Sequence, residues 1–244
     1  MPLSNQATQT PVVRVPFWKR VLDISFIVAT APAWIPLGLV IALAIKAVSR
    51  GPVLFKQMRV GYLGRPFWCL KFRSMVPDAA THVHEGHLQR LITSNSAMTK
   101  LDSHGDPRLI PGGLWLRSLG LDELPQIINI LRGEMSLVGP RPCLPYEYEN
   151  YSPHQRQRCG TLPGLTGLWQ ISGKNRTTFE EMINFDLQYA ATKSPWLDLK
   201  ILLLTLPAIG LQVADLRRGK KPARQDTALS GAAASPPADA QGAN

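Results

Sequence analysis

Hydrophobic positions concentrate in two blocks with a mixed body between them. The first block, FIVATAPAWIPLGLVIALAI from Phe26 to Ile45, carries no charge. As a straight helix it would reach about 30 Å, the thickness of a bilayer's hydrocarbon core. Pro32 and Pro36 sit near its middle, with Gly38 just beyond. Each proline removes an intrahelical hydrogen bond, so a break or sharp kink is expected there. Cations flank both sides: Arg14, Lys19 and Arg20 before, and Lys46, Arg50, Lys56 and Arg59 after. The positive-inside rule then places both flanks in the cytoplasm. Together these features predict a re-entrant helix that enters one leaflet, turns at the prolines and returns; the alternative is a kinked spanning helix. The second block, Pro195 to Val213, is interrupted by Asp198, Lys200 and Pro207 and opens on Trp196. It reads as an amphipathic helix lying in the membrane interface.

Between the blocks the periodicity changes. Gly51 to Met75 reads as strand, glycine turn and strand, made cationic by Lys56, Arg59, Arg65, Lys71 and Arg73. Leu124, Ile127, Ile128 and Leu131 recur at helical spacing, with Pro125 in the first turn and Gly133 as the stop. MSLVG, after Gly133, reads as a short extended segment entering a turn. The fold class expected is α+β and mainly helical. A small cytoplasmic catalytic domain would sit beneath a membrane helix and interfacial helices.

Charge narrows the partners. The 244 residues carry a net charge of +10, which points to an anionic partner: nucleic acid, a phosphorylated substrate or anionic lipid. No helix-turn-helix, zinc spacing or aromatic-interleaved basic strand accompanies the charge, so no nucleic-acid role is expected. LRRGKK, Leu216 to Lys221, suits an anionic membrane surface. Cys69, Cys143 and Cys159 are odd in number and without C-x-x-C spacing, and read as reduced thiols. No cleavable signal peptide is evident. The first 16 residues and the Ala/Ser/Pro/Gly-rich end read as disordered.

Candidate chemistry centres on RSLGLDELPQ, Arg117 to Gln126, where Asp122 and Glu123 stand at the mouth of the predicted helix. One reading is a helix cap. The other is a site where a helix N-terminus receives phosphate and a carboxylate holds a divalent cation. In GEMSLVGPRP, Pro140 and Pro142 stiffen the backbone around Arg141, which lowers the entropy lost in presenting a guanidinium to phosphate; the alternative is a proline-rich turn with a surface arginine. The glycines of LPGLTGLWQISGKN, at 164, 167 and 173, would allow close approach to a nucleotide, though the pattern is neither P-loop nor dinucleotide fingerprint. His82, His84 and His87 read as a solvated surface rather than a metal site.

Taken together and in this order, KRVLD, GPVLFKQMRVG, KFRSM, RSLGLDELPQIINILRGEMSLVGPRP and PGLTGLWQISG closely resemble the bacterial sugar transferases, the monotopic phosphoglycosyl transferases. The resemblance covers about residues 17 to 211. It implies transfer of a sugar-1-phosphate from a nucleotide diphosphate sugar, a UDP-sugar by preference, to polyprenyl (undecaprenyl) phosphate. The products would be polyprenyl diphosphate sugar and UMP, in the first membrane step of exopolysaccharide, capsule or other surface glycan synthesis. It implies Asp122 as nucleophile, with Glu123 helping in metal or proton handling and Mg²⁺ as cofactor held by the two. Arg117, Arg141, Lys71 and Arg59 would bind phosphate or substrate, and Pro36 would mark the membrane helix break. The location implied is the cytoplasmic face of the bacterial inner membrane. The segments would be 1–16 disordered, 17–50 re-entrant, 51–194 catalytic, 195–216 interfacial, and 217–244 basic then disordered. Alternatives are a single-step transferase with Asp122 only as metal ligand, and a non-enzymatic membrane scaffold. Oligomeric state is open, a homo-oligomer included. Two positions depart from the family pattern: Ile35 stands where serine precedes the break proline, and Gly120 where serine precedes Leu-Asp-Glu.

Overall fold

The computed structural model describes residues 15–76, 108–173 and 177–217. The histidine cluster lies outside these residues, as do nearly all of the two segments expected to be disordered.

Helix α1 runs from Phe17 to Val48. Its 32 residues would extend about 48 Å at 1.5 Å per residue. The chain stays helical through Pro32 and Pro36, so the expected break is absent from its secondary structure. Each proline deletes only its own N–H bond. One turn ahead of the first, side chains add donors: Thr30 Oγ1 donates to the Phe26 carbonyl at 2.7 Å, and Trp34 Nε1 to the Ile27 carbonyl at 3.0 Å. Both prolines lie on the exposed side of the helix, with Ile35 between them. A proline ring crowds the carbonyl one turn back on its own face, so any bend is convex on that side, away from the protein.

One stripe of α1 is buried: Lys19, Asp23 and Ile27 near its start, Ile41 and Ile45 near its end. The rest is apolar and exposed, Val28, Leu39, Val40 and Leu43 among others. Within the described residues α1 alone has the length and composition to cross a membrane, and only 11% of its most apolar window is buried.

Strands β1 (Leu54–Val60) and β2 (Pro66–Phe72) form the expected antiparallel hairpin, pairing Leu54 with Phe72 through to Val60 with Pro66. Helix α2 (Gly113–Ser118) leads through a single tight turn, Leu121–Glu123, to α3 (Gln126–Arg132), which Gly133 ends as expected. The buried side of α3 differs from the predicted stripe. Ile127, Ile130 and Asn129 face inward, while Ile128 and Leu131 are exposed. The helix is apolar on both sides, so periodicity alone could not select the inner one.

The extended segment becomes β3 (Ser136–Val138), which pairs in parallel with β4 (Gly164–Thr166). Short helices α4 (Pro145–Glu149), α5 (Pro153–Arg156) and α6 (Leu168–Ile171) follow in the chain, α4 packing against β1. Helix α7 (Phe179–Thr192) starts on a capping box. Thr178 Oγ1 accepts from Glu181 N at 3.2 Å, and the Glu181 carboxylate accepts from Thr178 N at 2.8 Å. Helix α8 (Pro195–Arg217) closes the described chain and continues through Pro207. Its inward side carries Asp198 and Ile201, and its outward side exposes Trp196, Leu199, Leu203 and Leu206.

The KRVLD motif explains how α1 is attached. Lys19 Nζ donates to Asp198 at 2.6 Å, to the Tyr189 hydroxyl at 2.7 Å and to the Val138 carbonyl at 2.8 Å. Arg20 caps the carboxyl end of α3, donating to the Ile130 carbonyl at 2.6 Å. Asp23 accepts from Ser136 Oγ and Leu137 N, each at 2.9 Å. Around these contacts a core forms from Ile27, Phe67, Ile127, Ile130, Met135, Leu137 and Ile201.

Two outcomes test this framework. Lys19→Met strands a buried carboxylate, so thermal unfolding in detergent should show a loss on the scale of about 3–5 kcal/mol, with most of it restored by Lys19→Met/Asp198→Leu. Equal losses in both variants would contradict the pairing. Gly120 has φ +70° and nothing within 4 Å of an added Cβ. Gly120→Ala should therefore cost about 1 kcal/mol through the backbone alone, seen as a melting point lowered by roughly 2–4 °C.

Candidate active site

Gly120 reverses the chain after α2 in a left-handed conformation, and the turn it opens holds Asp122 and Glu123. Neither acid stands at an N-cap: Gly120 opens the turn and Pro125 precedes α3. Asp122 is buried, with 6% of its surface exposed. Glu123 reaches across to the hairpin, where its Oε1 accepts from Lys71 Nζ at 2.6 Å. That pair is part-exposed, so its contribution to stability is small. Its effect is positional, placing a cation and a carboxylate beside Asp122.

Asn129 fixes the same junction. Its Oδ1 accepts from Leu70 N at 3.0 Å, and its Nδ2 donates to the Trp68 carbonyl at 2.8 Å. A side chain of α3 thus binds the main chain of β2 immediately before Lys71. Cys69 lies on the same strand, and burial pushes its thiol up.

Arg117 sits on α2 with its guanidinium 3.4 Å from Ser74 Oγ. Arg141 leaves the turn after β3; its guanidinium pairs with buried Glu147 at 3.3 Å. Its carbonyl accepts from Arg158 at 2.9 Å. Arg158 is itself buried, donating to the Tyr151 hydroxyl at 2.7 Å and forming an ion pair with Asp186 of α7. Burial pushes the Asp186 carboxyl up while the adjacent Arg158 opposes that shift. Arg59 is buried and donates to Gln57 Oε1 at 2.6 Å and to the Pro142 carbonyl at 3.1 Å. Burial pulls its pKa down, as does the neighbouring charge of Arg141. Its contacts brace the hairpin against the Arg141 turn.

The structure therefore brings Asp122, Glu123 and Lys71 together. It sets Arg59 and Arg141 close enough to influence each other, and puts Arg117 on the helix leading into the acid pair. The glycine-rich loop behaves differently from the nucleotide loop its spacing suggested. A Cβ on Gly164 would lie 2.1 Å from Gly139 N, and one on Gly167 would lie 2.2 Å from Gly139 O. These glycines let β4 and the Arg141 turn pack main chain to main chain.

Reasoning from the sequence missed Asn129, Glu147, Arg158 and Asp186. Their partners are distant in sequence or buried in short elements, and no local pattern marks them. Arg73 had been read only as hairpin charge. It is buried, and its Nε and Nη1 have no partner among the described residues. Such donors are uncommon in a finished core and suit an anionic ligand.

The donor set fits magnesium. Among the described residues no three His, Cys, Asp or Glu side chains form a complete cage. Mg²⁺ does not require one, since it binds through one or two carboxylates and otherwise relies on water and substrate phosphate. Adjacent Asp122 and Glu123 supply that sparse set.

Comparison with known proteins places the chain in a family. The model of the family described as bacterial sugar transferase matches residues 14–212. The chain is 38% identical over 198 residues to the exopolysaccharide production protein ExoY of Sinorhizobium fredii, covering 79% of this chain and 85% of that one. It is 40% identical over 207 residues to the UDP-glucose:undecaprenyl-phosphate glucose-1-phosphate transferase of Caulobacter vibrioides, covering 82% and 72%. The galactosyl transferase CpsE of Streptococcus agalactiae serotype III is 46% identical over 160 residues, but the match spans only 35% of its length. The hairpin, the acid turn and the Arg141 turn all fall inside the matched region, and the chain belongs to the bacterial sugar transferase family.

Proposed function

We propose that this protein transfers a sugar-1-phosphate from a UDP-sugar to undecaprenyl phosphate, through a covalent intermediate on Asp122, at the cytoplasmic face of the inner membrane. The observation that carries the reading is the buried Asp122 carboxylate, set beside the Lys71–Glu123 pair. Two of the relatives' names supply the substrate class: glucose-1-phosphate transfer to undecaprenyl phosphate in one, exopolysaccharide production in another.

In the first step an Asp122 oxygen attacks the sugar-bearing phosphorus. The bond to the bridging oxygen breaks and the nucleoside monophosphate departs. In the second, a phosphate oxygen of the lipid attacks the same phosphorus and the Asp122–phosphorus bond breaks. The carboxylate is regenerated, and a polyprenyl diphosphate sugar leaves. Both steps bring an anion to an anionic phosphorus, so cations must offset the repulsion. In this reading Lys71 and Arg117 do so around the acid turn, and Arg141 from the turn after β3. Glu123 orients Lys71. Bound between Asp122 and Glu123, Mg²⁺ would supply charge neutralisation of the diphosphate. Splitting the transfer lets a soluble donor and a lipid acceptor use one site in succession.

The membrane arrangement belongs to the same reading. Both ends of α1 pack on one catalytic unit, through Lys19 and Asp23 at the start and Ile41 and Ile45 at the end. A unit confined to one side of a bilayer cannot hold both ends of a spanning helix. The outward prolines and Ile35 would then form the deepest point of a re-entrant helix. Exposed apolar side chains on α2 and α8, Trp115 and Trp196 among them, would enter the same leaflet.

The test is direct. Wild-type protein given its UDP-sugar and Mg²⁺ without lipid should gain the mass of one sugar phosphate on the peptide bearing Asp122, and release UMP. Asp122→Asn should form no adduct and lose turnover by about a thousandfold or more. Normal turnover with no adduct in the wild type would instead favour single-step transfer.

A further inference from the structure

The Arg141 turn is held through its main-chain oxygens. Pro140 and Pro142 have no N–H to give, so their carbonyls must do the anchoring. Four successive carbonyls are taken. Gly164 N of β4 donates to the Pro140 carbonyl at 2.8 Å, and Val60 N of β1 to the Cys143 carbonyl at 2.9 Å. Between them, Arg158 Nη2 donates to the Arg141 carbonyl at 2.9 Å and Arg59 Nη1 to the Pro142 carbonyl at 3.1 Å. The outer two bonds come from strands. The inner two come from guanidinium groups, whose planar donors point in fixed directions once one edge is bound. Arg158 is bound by Asp186 and by the Tyr151 hydroxyl at 2.7 Å, and Arg59 by Gln57 Oε1 at 2.6 Å.

The geometry points to Arg59 and Arg158 as positioning residues for Arg141, a clamp on its main chain that lets its guanidinium meet the substrate phosphate in one place. This assignment rests on the proposed phosphate role of Arg141. Under it Arg59, grouped with the phosphate-binding cations by the family resemblance, acts on substrate only through Arg141.

Exposure separates the roles. The Arg141 side chain is 23% exposed, whereas Arg59 is 6% and Arg158 1% exposed. A cavity of about 10 Å³ lies among Pro140, Arg141, Cys143, Arg158 and Thr161. That is room for about one water molecule, and too little for a phosphate. Arg158 therefore reaches substrate only through the turn it holds. Glu147 completes the arrangement. Its buried carboxylate pairs with the Arg141 guanidinium at 3.3 Å and accepts from Leu144 N. The main chain and the side chain of Arg141 are thus held by different residues.

A double-mutant cycle tests the clamp. Arg158→Met/Asp186→Leu removes the buried pair together, leaving net charge unchanged and no stranded carboxylate. Arg158→Lys is the milder second variant, keeping the charge beside Asp186 without the planar fork. Arg59→Met opens the other hold. Steady-state kcat/KM and melting point are measured in detergent, with Arg141 present and in an Arg141→Ala background. Arg141→Ala alone should lower kcat/KM about a hundredfold. Each clamp variant should lower it about tenfold with Arg141 present, and by about twofold or less in the Arg141→Ala background, where the group to be positioned is already gone. The melting point should fall equally in both backgrounds, since alanine keeps the clamped carbonyl. Equal fold losses of kcat/KM in both backgrounds would overturn the positioning role, and for Arg59 would restore direct contact with phosphate. Clamp variants with wild-type kcat/KM would overturn it as well. Wild-type turnover in Arg141→Ala would remove the proposed phosphate role and the clamp with it, whereas dependence on Arg141 with additive losses would remove the clamp alone. Absence of an Asp122 adduct would defeat covalent transfer and leave the cycle, read on turnover, intact.

Discussion

Lys19 and Asp198 form an ion pair at 2.6 Å with side chains 1% and 0% exposed. Tyr189 and the Val138 carbonyl take up the hydrogen bonds that remain on the ammonium group. Burying two charges costs several kcal/mol per ion, and only close geometry with further hydrogen bonds offsets it. The pair thus gives α1 a single acceptable seat, because a shift of one turn would leave both charges stranded. Asp23 and Arg20 extend the same grip. One holds β3, which runs directly into the turn bearing Arg141; the other caps the end of α3, whose opposite end carries the acid turn. Two turns of α1 therefore fix the strand that leads into the Arg141 turn and the helix that follows the Asp122–Glu123 turn.

The site itself follows a different constraint. The proposed attack of Asp122 on phosphate needs positive charge close by. Here Glu123 takes Lys71, Glu147 takes Arg141, and Gln57 with a main-chain carbonyl takes Arg59. Each of these cations has a partner of its own, so its charge is positioned before substrate arrives. The left-handed Gly120 and the glycine-mediated contact of β4 with the Arg141 turn supply the close backbone geometry this arrangement requires.

Much of this was legible in the chain. The hairpin was visible from its apolar strands and glycine turn, α1 from its uncharged run, and the end of α3 from Gly133. The acid pair stood out because two carboxylates opened a helix in a basic protein. Other features resisted because their meaning depends on distant partners. Lys19 counted as a flanking cation and Asp198 as an interruption of an apolar block, yet each exists for the other across 179 residues. The capping reading of Asp122 and Glu123 was sound local chemistry, but the helix starts beyond them at Gln126, and Glu123 turns toward the hairpin. The glycines at 164 and 167 correctly signalled close approach; what approaches is the protein's own main chain. Interior prolines predicted a break, and the helix instead runs on with both rings turned outward.

The central claim is that one catalytic unit holds both ends of α1, so that the enzyme enters a single leaflet and keeps its acid turn at the surface. Cysteines introduced one at a time at Val12 and Phe55 report on it, since Cys69, Cys143 and Cys159 are all buried. In oriented membrane vesicles, a membrane-impermeant maleimide applied to the cytoplasmic face should label both positions. Labelling of the two from opposite faces would establish a spanning helix and contradict the account.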